Sequence, residues 1–298
     1  MNGFINILKP PGMTSAAVVG RLRRLTGEKR VGHAGTLDPE AAGILPVMVG
    51  KAARLFDYLV DKEKEYVAEV AFGVRTDTQD ATGRVLEKSE HYPEEELVLQ
   101  KLKMLEGDIM QRPGMFSALK KDGKPMYERA RKGETVEVPE RMVHVERITP
   151  LGFTANHGML MAVRCGRGTY IRSICEDLGN LCGCPAHMRF LLRSVIGAFD
   201  LSTAITLEEA AAYAAEGTLR KHMIRPDAPL QHIPKIDVHD WAAPMVRGGA
   251  KLPVKAVAED HPEGTVVRVY LNHEFWGMAE RNEDHYAWKA QIAPEEDL

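Results

Sequence analysis

One acidic side chain stands in the middle of a loop whose shape the sequence largely dictates. Asp38 lies between Leu37 and Pro39, in the stretch from Val31 to Pro46, which holds three glycines and two prolines. Glycine permits left-handed turns and proline fixes φ, so this composition predicts a shaped loop. The apolar residues at its end predict a buried strand. A carboxylate placed here could act as a nucleophile, stabilise positive charge, or only bond to its own turn.

The residue pattern of this loop is that of a known family. From Gly32 to Gly43 the chain reads Gly-His-Ala-Gly-Thr-Leu-Asp-Pro-x-Ala-x-Gly. This string resembles the catalytic signature of the TruB family of tRNA pseudouridine synthases. The resemblance implies that Asp38 is the essential catalytic residue and that His33 fills the space left by flipped bases. An ordinary loop histidine or a metal ligand is the other interpretation of His33.

A second motif contains a positively charged residue, Arg172. Thr169 can cap a helix that carries Arg172 in its first turn. The pattern alone indicates an exposed arginine, although a cation at a helix N-terminus is unfavourable unless a carboxylate offsets it. The string Gly-Thr-Tyr-Ile-Arg is similar to a motif of the same family. That resemblance implies that Arg172 pairs with Asp38 and that Tyr170 borders the target base.

Two further residues complete the predicted pocket. Residues 64–73 alternate as a strand, with Tyr66 on one face, where packing within a sheet is the simple interpretation. The resemblance implies instead that the Tyr66 ring stacks on the target base, which suits a base that has lost its stacked neighbours. Leu191 follows His187 in a string similar to the family's apolar pocket wall. Plain core packing would explain Leu191 equally well.

Phosphate binding would depend on local basic patches, because the formal net charge is -3. One patch precedes the Asp38 loop and another lies within residues 120–132. Either could be only a solvated face. Contacts to phosphates would set the register of the RNA without reading its sequence. The residues predicted to contact the RNA backbone are Lys9, Arg21, Arg24, Lys120, Lys121, Arg129 and Arg131.

An insertion at about residues 107–140 resembles the family's mobile RNA-gripping segment. The strings that carry this resemblance begin at Gly107 and at Gly123. The chain departs from the family at two positions within it. Gly114 stands where the family commonly has a second proline, and Phe116 stands where it has tyrosine. Neither change removes a charge.

The elements around these motifs predict an α+β protein. Helical apolar stripes occur at 18, 22 and 25 and at 98, 102 and 105, and strands are expected near 4–8 and 160–165. Thr14 or Ser15 can cap the first of these helices, Thr206 and Glu209 form a capping box before an alanine-rich helix, and the stretch around Val246 predicts strands and turns. The resemblance implies a catalytic domain of the pseudouridine synthase type over residues 1–230, with a mixed, mainly antiparallel sheet. Prolines then mark a linker. Residues 235–298 are typical of a small all-β unit, similar to the family's PUA-type RNA-binding module.

Composition excludes several classes of protein. The 298 residues are 44% hydrophobic and 27% charged, as in an ordinary globular protein. Without an apolar run of about 18 residues or a signal peptide, we expect a cytoplasmic protein and no membrane partner. The four cysteines suggest no disulfide framework. Cys182, Cys184 and His187 have the wrong spacing for a usual zinc site, so no metal is expected.

The resemblance implies that the protein isomerises uridine 55 in the T loop of tRNA to pseudouridine. This reaction breaks the bond from ribose C1′ to base N1, turns the base and rejoins it through C5. It needs no redox change or external leaving group, so no cofactor is expected. Asp38 would be the nucleophile on a flipped-out base, and Arg172 would keep it ionised.

The expected partner is the T-arm stem-loop of tRNA, with no protein partner and a monomeric enzyme. The folded shape of the T arm should supply specificity. Two hypotheses from other classes stay open. One is a tRNA-folding helper that uses the same basic patches and has no need of Asp38. The other is a metal-assisted hydrolase built on His33, Asp38 and the cysteines.

Overall fold

The chain divides into two units by its internal contacts. The computed structural model describes residues 1–59, 62–114, 120–121, 124–126 and 138–294. Unit 1 comprises Met1–Pro39, Ile44–Asp61 and Gly197–Leu298, and unit 2 comprises Glu40–Gly43 and Lys62–Ile196. Both ends of the chain contribute to unit 1. The domain boundary predicted between residues 230 and 235 stays a prediction.

Long runs of strands are separated by five α-helices in the part of the chain that the structure describes. The N-terminal half contains β1 (Gly3–Lys9), α1 (Ser15–Thr26), β2 (Val31–His33), β3 (Ala42–Val49), β4 (Lys64–Phe72), β5 (Val74–Thr76), β6 (Val85–Lys88), α2 (Glu95–Leu102), β7 (Gly107–Gln111), β8 (Lys120–Lys121), β9 (Lys124–Pro125) and β10 (Arg141–Thr154). The remainder contains β11 (Gly158–Cys165), α3 (Ile171–Leu181), β12 (Ala186–Ile196), β13 (Phe199–Asp200), α4 (Leu207–Ala215), β14 (Lys235–Asp237), α5 (Ala243–Gly248), β15 (Leu252–Pro253), β16 (Val266–Leu271), β17 (Glu274–Asn282) and β18 (His285–Gln291).

In unit 1, helix α1 leads to the Asp38 loop. Its N-cap is Thr14, whose hydroxyl accepts a hydrogen bond from the Ala17 amide, as the sequence predicts, and it ends at Gly27 in a left-handed conformation. Val18 and Leu22 are fully buried in a core that includes residues of β1, β3 and α4. Helix α4 begins with the predicted capping box.

Unit 2 is built on strands in the order β12-β4-β11-β10-β7, and each pair of neighbours is antiparallel. The first residues of β3, Ala42 and Gly43, pair in parallel with β12. The prediction of a mixed, mainly antiparallel sheet is therefore confirmed. Strand β4 lies between β12 and β11, so it is a central strand. Helix α3 packs on β12 and β4.

The C-terminal part of unit 1 contains a five-stranded sheet in the order β14-β16-β17-β18-β15, which confirms the predicted small β module. Tyr286, Val267 and Ala279 are fully buried in its core. The module is not entirely β, however. The stretch around Val246, predicted to form strands and turns, forms helix α5, which ends at Gly249 with φ 68°. Among the described residues, no helix is long and apolar enough to cross a membrane.

We expect Gly43→Ala to destabilise the protein. Gly43 has φ +116°, and a Cβ added there would lie 2.3 Å from the carbonyl oxygen and 2.5 Å from the amide nitrogen of Arg193. Backbone on β12 cannot yield as a flexible side chain could, so the free energy of unfolding should fall by about 2–4 kcal/mol. Urea unfolding measures this change.

Gly20→Ala is the matched control for this substitution. Gly20 lies within α1, and an added Cβ meets nothing within 4 Å. Because alanine favours helix, this variant should gain about 0.5–1 kcal/mol. Equal stability of the two variants would show that the close approach at Gly43 is unimportant.

Candidate active site

The backbone on both sides of Asp38 is fixed by hydrogen bonds. On the N-terminal side, the Ser15 hydroxyl accepts from the amide of Leu37 at 3.0 Å and donates to the carbonyl of the same residue at 3.1 Å. On the C-terminal side, the carbonyl of Pro39 accepts from the amide of Gly12 at 2.9 Å. A carboxylate in a loop without regular structure is thereby given a defined position.

Lys9 is the second anchor of this loop. Its ammonium donates to the carbonyls of Pro10 at 2.8 Å, Met13 at 2.6 Å and Pro39 at 2.9 Å. The side chain is completely buried. The predicted phosphate contact requires an exposed ammonium, and the structure does not place Lys9 at the surface. Burial costs a cation much free energy unless each proton has an acceptor, and here carbonyls of three residues supply them.

His33 ends strand β2, where it is paired with Val47 of β3. The side chain is half-buried. It lies five residues before Asp38 in the same unit, at the start of the shaped loop. The role implied for His33, filling the space of flipped bases, stays a prediction.

Arg172 is buried, with 5% of its surface exposed. The alternative of an exposed helix arginine was therefore wrong. Its guanidinium donates to the carbonyl of Thr78 at 3.1 Å and lies 3.9 Å from a carboxylate oxygen of Asp80. Asp80 in turn accepts from the hydroxyl of Thr78 at 2.7 Å. The Asp80 carboxylate therefore offsets the unfavourable position of the Arg172 cation at the N-terminus of this helix.

Tyr66 and Leu191 share one face of the sheet in unit 2. Tyr66 is paired with Arg193, and Ala68 with Leu191, and paired residues of antiparallel strands point to the same side. Both Tyr66 and Leu191 are largely buried, at 9% and 7% exposure. The Tyr66 hydroxyl is hydrogen-bonded to the fully buried guanidinium of Arg193.

Burial governs the electrostatics of two groups in this unit. Loss of solvent lowers the pKa of Arg193, and the hydrogen bond to Tyr66 partly opposes that shift. On α3, burial raises the pKa of Asp177 to about 6, with smaller contributions from Glu176 and Glu140. Helix α3 thus carries a carboxyl that titrates near neutral pH.

Tyr170 is the N-cap residue of α3, so the helix begins one residue later than the sequence predicted. Thr169, the expected cap, instead donates its hydroxyl to the carbonyl of Gly166 at 3.3 Å. The Tyr170 ring lies 4.9 Å from the guanidinium carbon of Arg141, in a cation–π contact.

The structure divides the predicted site residues between the two units. His33 and Asp38 belong to unit 1, whereas Tyr66, Tyr170, Arg172 and Leu191 belong to unit 2. The predicted ion pair of Asp38 with Arg172 stays a prediction.

The basic patches have different environments. Arg21 forms an ion pair with Glu208 at 3.3 Å, and Arg24 is exposed on α1. Lys120 and Lys121 lie in the hairpin of β8 and β9. Phe116, Arg129 and Arg131 lie outside the described residues.

Sequence reasoning missed Asp80, Ser15 and Arg193. Asp80 carried no signal of its own, because an Asp in a short, mostly polar stretch is typical of a turn. In the part of the chain that the structure describes, no group of three or more His, Cys, Asp or Glu residues is arranged to hold a metal. His187, from the zinc alternative, instead places Nδ1 2.9 Å from the carbonyl of Val74.

The fold and these motifs define a class of protein. Two solved structures align with 98% of this chain, the first an H/ACA RNP bound to a substrate RNA containing 2′-deoxyuridine, with TM-score 0.74, 26% identity and 85% of that chain covered. The second is a Cbf5-Nop10-Gar1 complex, with TM-score 0.71, 28% identity and 84% covered. The family model of the TruB pseudouridylate synthase N-terminal domain matches residues 23–171. The class is that of the pseudouridylate synthases.

The family within this class follows from closer relatives. The model of the tRNA pseudouridylate synthase B C-terminal domain matches residues 172–231. The tRNA pseudouridine synthase B of Pelotomaculum thermopropionicum is 42% identical over 87% of this chain and 83% of its own length. That of Bacillus subtilis is 38% identical over 91% of this chain and 89% of its own length. The chain belongs to the TruB family.

We expect Lys9→Met to destabilise the folded protein. Methionine fills a similar volume but leaves the carbonyls of Pro10, Met13 and Pro39 without this donor. The loss of these three hydrogen bonds from a fully buried side chain should lower the free energy of unfolding by about 2–4 kcal/mol, measured in urea. Lys29→Met, at an exposed position, is the control and should change stability by less than about 0.5 kcal/mol. A Lys9 variant as stable as the control would contradict the anchoring role.

Proposed function

We propose that this protein converts uridine 55 in the T loop of tRNA to pseudouridine, with Asp38 as the nucleophile. The observation that carries the proposal is a single carboxylate whose flanking peptide groups are fixed by Ser15, Gly12 and Lys9, in a chain of the TruB family. A catalytic group held in one position needs little reorganisation when the substrate arrives. A turn that served only to connect two strands would not need such anchors.

The reaction requires few other groups from the protein. The C1′–N1 bond breaks, the uracil ring turns, and a C1′–C5 bond forms. The ring loses the proton on C5 and gains one on N1, so atoms balance without an oxidant or leaving group. An ionised Asp38 can form a bond to the nucleotide or stabilise positive charge on the sugar, and a nearby cation keeps it ionised.

The remaining site residues would bind the flipped base and exclude water from it. A base taken out of its stack costs a few kcal/mol, which contacts in the pocket must offset. Tyr66 would stack on the flipped uracil, and Arg193 would hold the Tyr66 ring through its hydroxyl. Leu191, on the same sheet face, and Tyr170 would exclude water. Support for these roles comes from the shared face of Tyr66 and Leu191 and from the burial of both.

Binding to RNA would rest on phosphate contacts and on shape. Arg24 is an exposed cation ahead of the Asp38 loop. The similar H/ACA RNP structure holds a substrate RNA, which favours an RNA substrate here as well. We infer that the C-terminal module is of the PUA type and adds a second RNA contact. We also infer a monomer that acts on tRNA in the cytoplasm.

We expect Asp38→Asn to abolish the reaction and to leave RNA binding intact. The amide keeps the shape of the side chain and its loop but loses the charge and the nucleophilic oxygen. Release of tritium from C5-labelled uridine in a T-arm hairpin should fall by at least about 10³-fold. Filter binding of the same hairpin should change by less than about threefold.

The same pair of measurements separates the competing functions. A tRNA-folding helper would keep its RNA affinity and show no tritium release in the wild type. Activity that survived in Asp38→Asn would sink the assignment of Asp38. Zinc retained by the purified wild type and needed for a hydrolytic activity would favour the hydrolase.

We expect Arg172→Ala to weaken catalysis far more than affinity for RNA. The substitution removes the buried cation beside Asp80 and, in our proposal, the positive charge that stabilises the Asp38 carboxylate. The rate of tritium release should fall by about 10²-fold or more, with a twofold change in hairpin affinity. Arg147→Ala, at an exposed position on β10, is the control and should leave the rate unchanged. Equal losses of rate and affinity in Arg172→Ala would refute the pairing.

A further inference from the structure

Gln111 and Arg141 flank residues 112–140, which form most of the insertion predicted at about residues 107–140. Gln111 is the last residue of β7 and Arg141 is the first of β10, and they are cross-strand partners. The insertion therefore leaves and re-enters the sheet of unit 2 at this one pair. Both side chains reach the turn that leads into α3, the helix that carries Arg172.

The carboxamide of Gln111 is bound to the backbone of Tyr170 through both of its ends. Its oxygen accepts from the Tyr170 amide at 2.8 Å, and its nitrogen donates to the Tyr170 carbonyl at 3.0 Å. The Gln111 residue is 0% exposed. This arrangement pairs Tyr170 as a neighbouring strand would, and it gives both the oxygen and the nitrogen of the buried carboxamide a hydrogen-bond partner. The N-cap side chain of α3 makes no capping hydrogen bond of its own.

Arg141 holds the same turn from its other side. Its guanidinium donates to the carbonyl of Gly168 and lies 4.9 Å from the centre of the Tyr170 ring. Gly168 has φ +88°, so this position in the turn favours glycine. A planar cation that bonds the backbone and covers the ring fixes both the path of the turn and the plane of Tyr170.

A third contact joins the insertion to the first turn of α3. The hydroxyl of Ser173 lies 3.3 Å from the carbonyl of Arg112 and 3.2 Å from the side-chain oxygen of Gln79, and it can donate its one proton to either acceptor. Arg172 therefore lies between two residues, Tyr170 and Ser173, that are tied to the start of the insertion. These direct contacts join Gln111, Arg112 and Arg141 to the turn before α3 and to its first turn.

We propose that Gln111 and Arg141 are positioning residues for Tyr170 and Arg172. Together they fix the turn from Gly168 to Tyr170, which leads into the first turn of α3. This inference rests on the proposed function. Displacement of a catalytic group by about 1 Å can cost about 10²-fold in rate, so the loss of either anchor should lower the rate measurably.

The test is Gln111→Glu, which keeps the size of the side chain. The carboxylate can still accept from the Tyr170 amide, but its other oxygen would face the Tyr170 carbonyl, 3.0 Å away in the wild type. At saturating T-arm hairpin, we expect single-turnover tritium release to fall about tenfold or more. Hairpin affinity should stay within about twofold. Gln100→Glu makes the same chemical change at an exposed position of α2 and should leave both unchanged.

If Gln111→Glu does not fold, Arg141→Lys is a second variant that tests the same inference. Lysine retains the charge but cannot lay a planar group over the Tyr170 ring, so the saturating rate should fall about threefold to tenfold at constant affinity. A rate equal to that of the wild type in either folded variant overturns the inference. A wild type that releases no tritium is a different result, because it overturns the proposed function.

Discussion

The hydrogen bonds around Asp38 are the constraint on which the proposed site depends. Asp38 lies in a loop outside helix and strand, where the backbone has no ladder to satisfy its polar groups. Ser15 supplies both a donor and an acceptor to Leu37, and Lys9 supplies donors to three carbonyls. The glycines shape the loop, but it is these side chains from the N-terminal segment that hold it.

Buried cations recur at each point where a site residue is fixed. Lys9 holds the Asp38 loop, Arg172 contacts Thr78 and Asp80, and Arg193 contacts the Tyr66 hydroxyl. A buried charge is costly unless all its protons find acceptors, so each of these side chains has a narrow range of positions. A buried charge therefore restricts the positions that its side chain can adopt. Exposed arginines such as Arg24 carry no such restraint and suit phosphate contacts.

The sequence was informative where the signal is local. The shaped loop around Asp38, the cap at Thr14, the capping box of α4 and the alternation of β4 all depend on residues within one turn or strand. The missed features depend on contacts between distant residues. Ser15 is 22 residues from Leu37, and Arg172 is 94 residues from Thr78. No spacing rule predicts such contacts, and a motif that resembles a family gives the role of Arg172 without its neighbours.

The glycine at position 114 shows how a departure from the family pattern can fit its own surroundings. A Cβ on Gly114 would lie 2.6 Å from the side-chain oxygen of Gln79. That carboxamide accepts from the hydroxyl of Ser173 and donates to the carboxylate of Glu176, both on α3. A side chain at 114 would require the Gln79 carboxamide to move from this position, whereas glycine leaves room for these bonds. Gly114 and Gln79 therefore fit each other, and the small residue at 114 preserves the hydrogen bonds from Gln79 to the helix that carries Arg172.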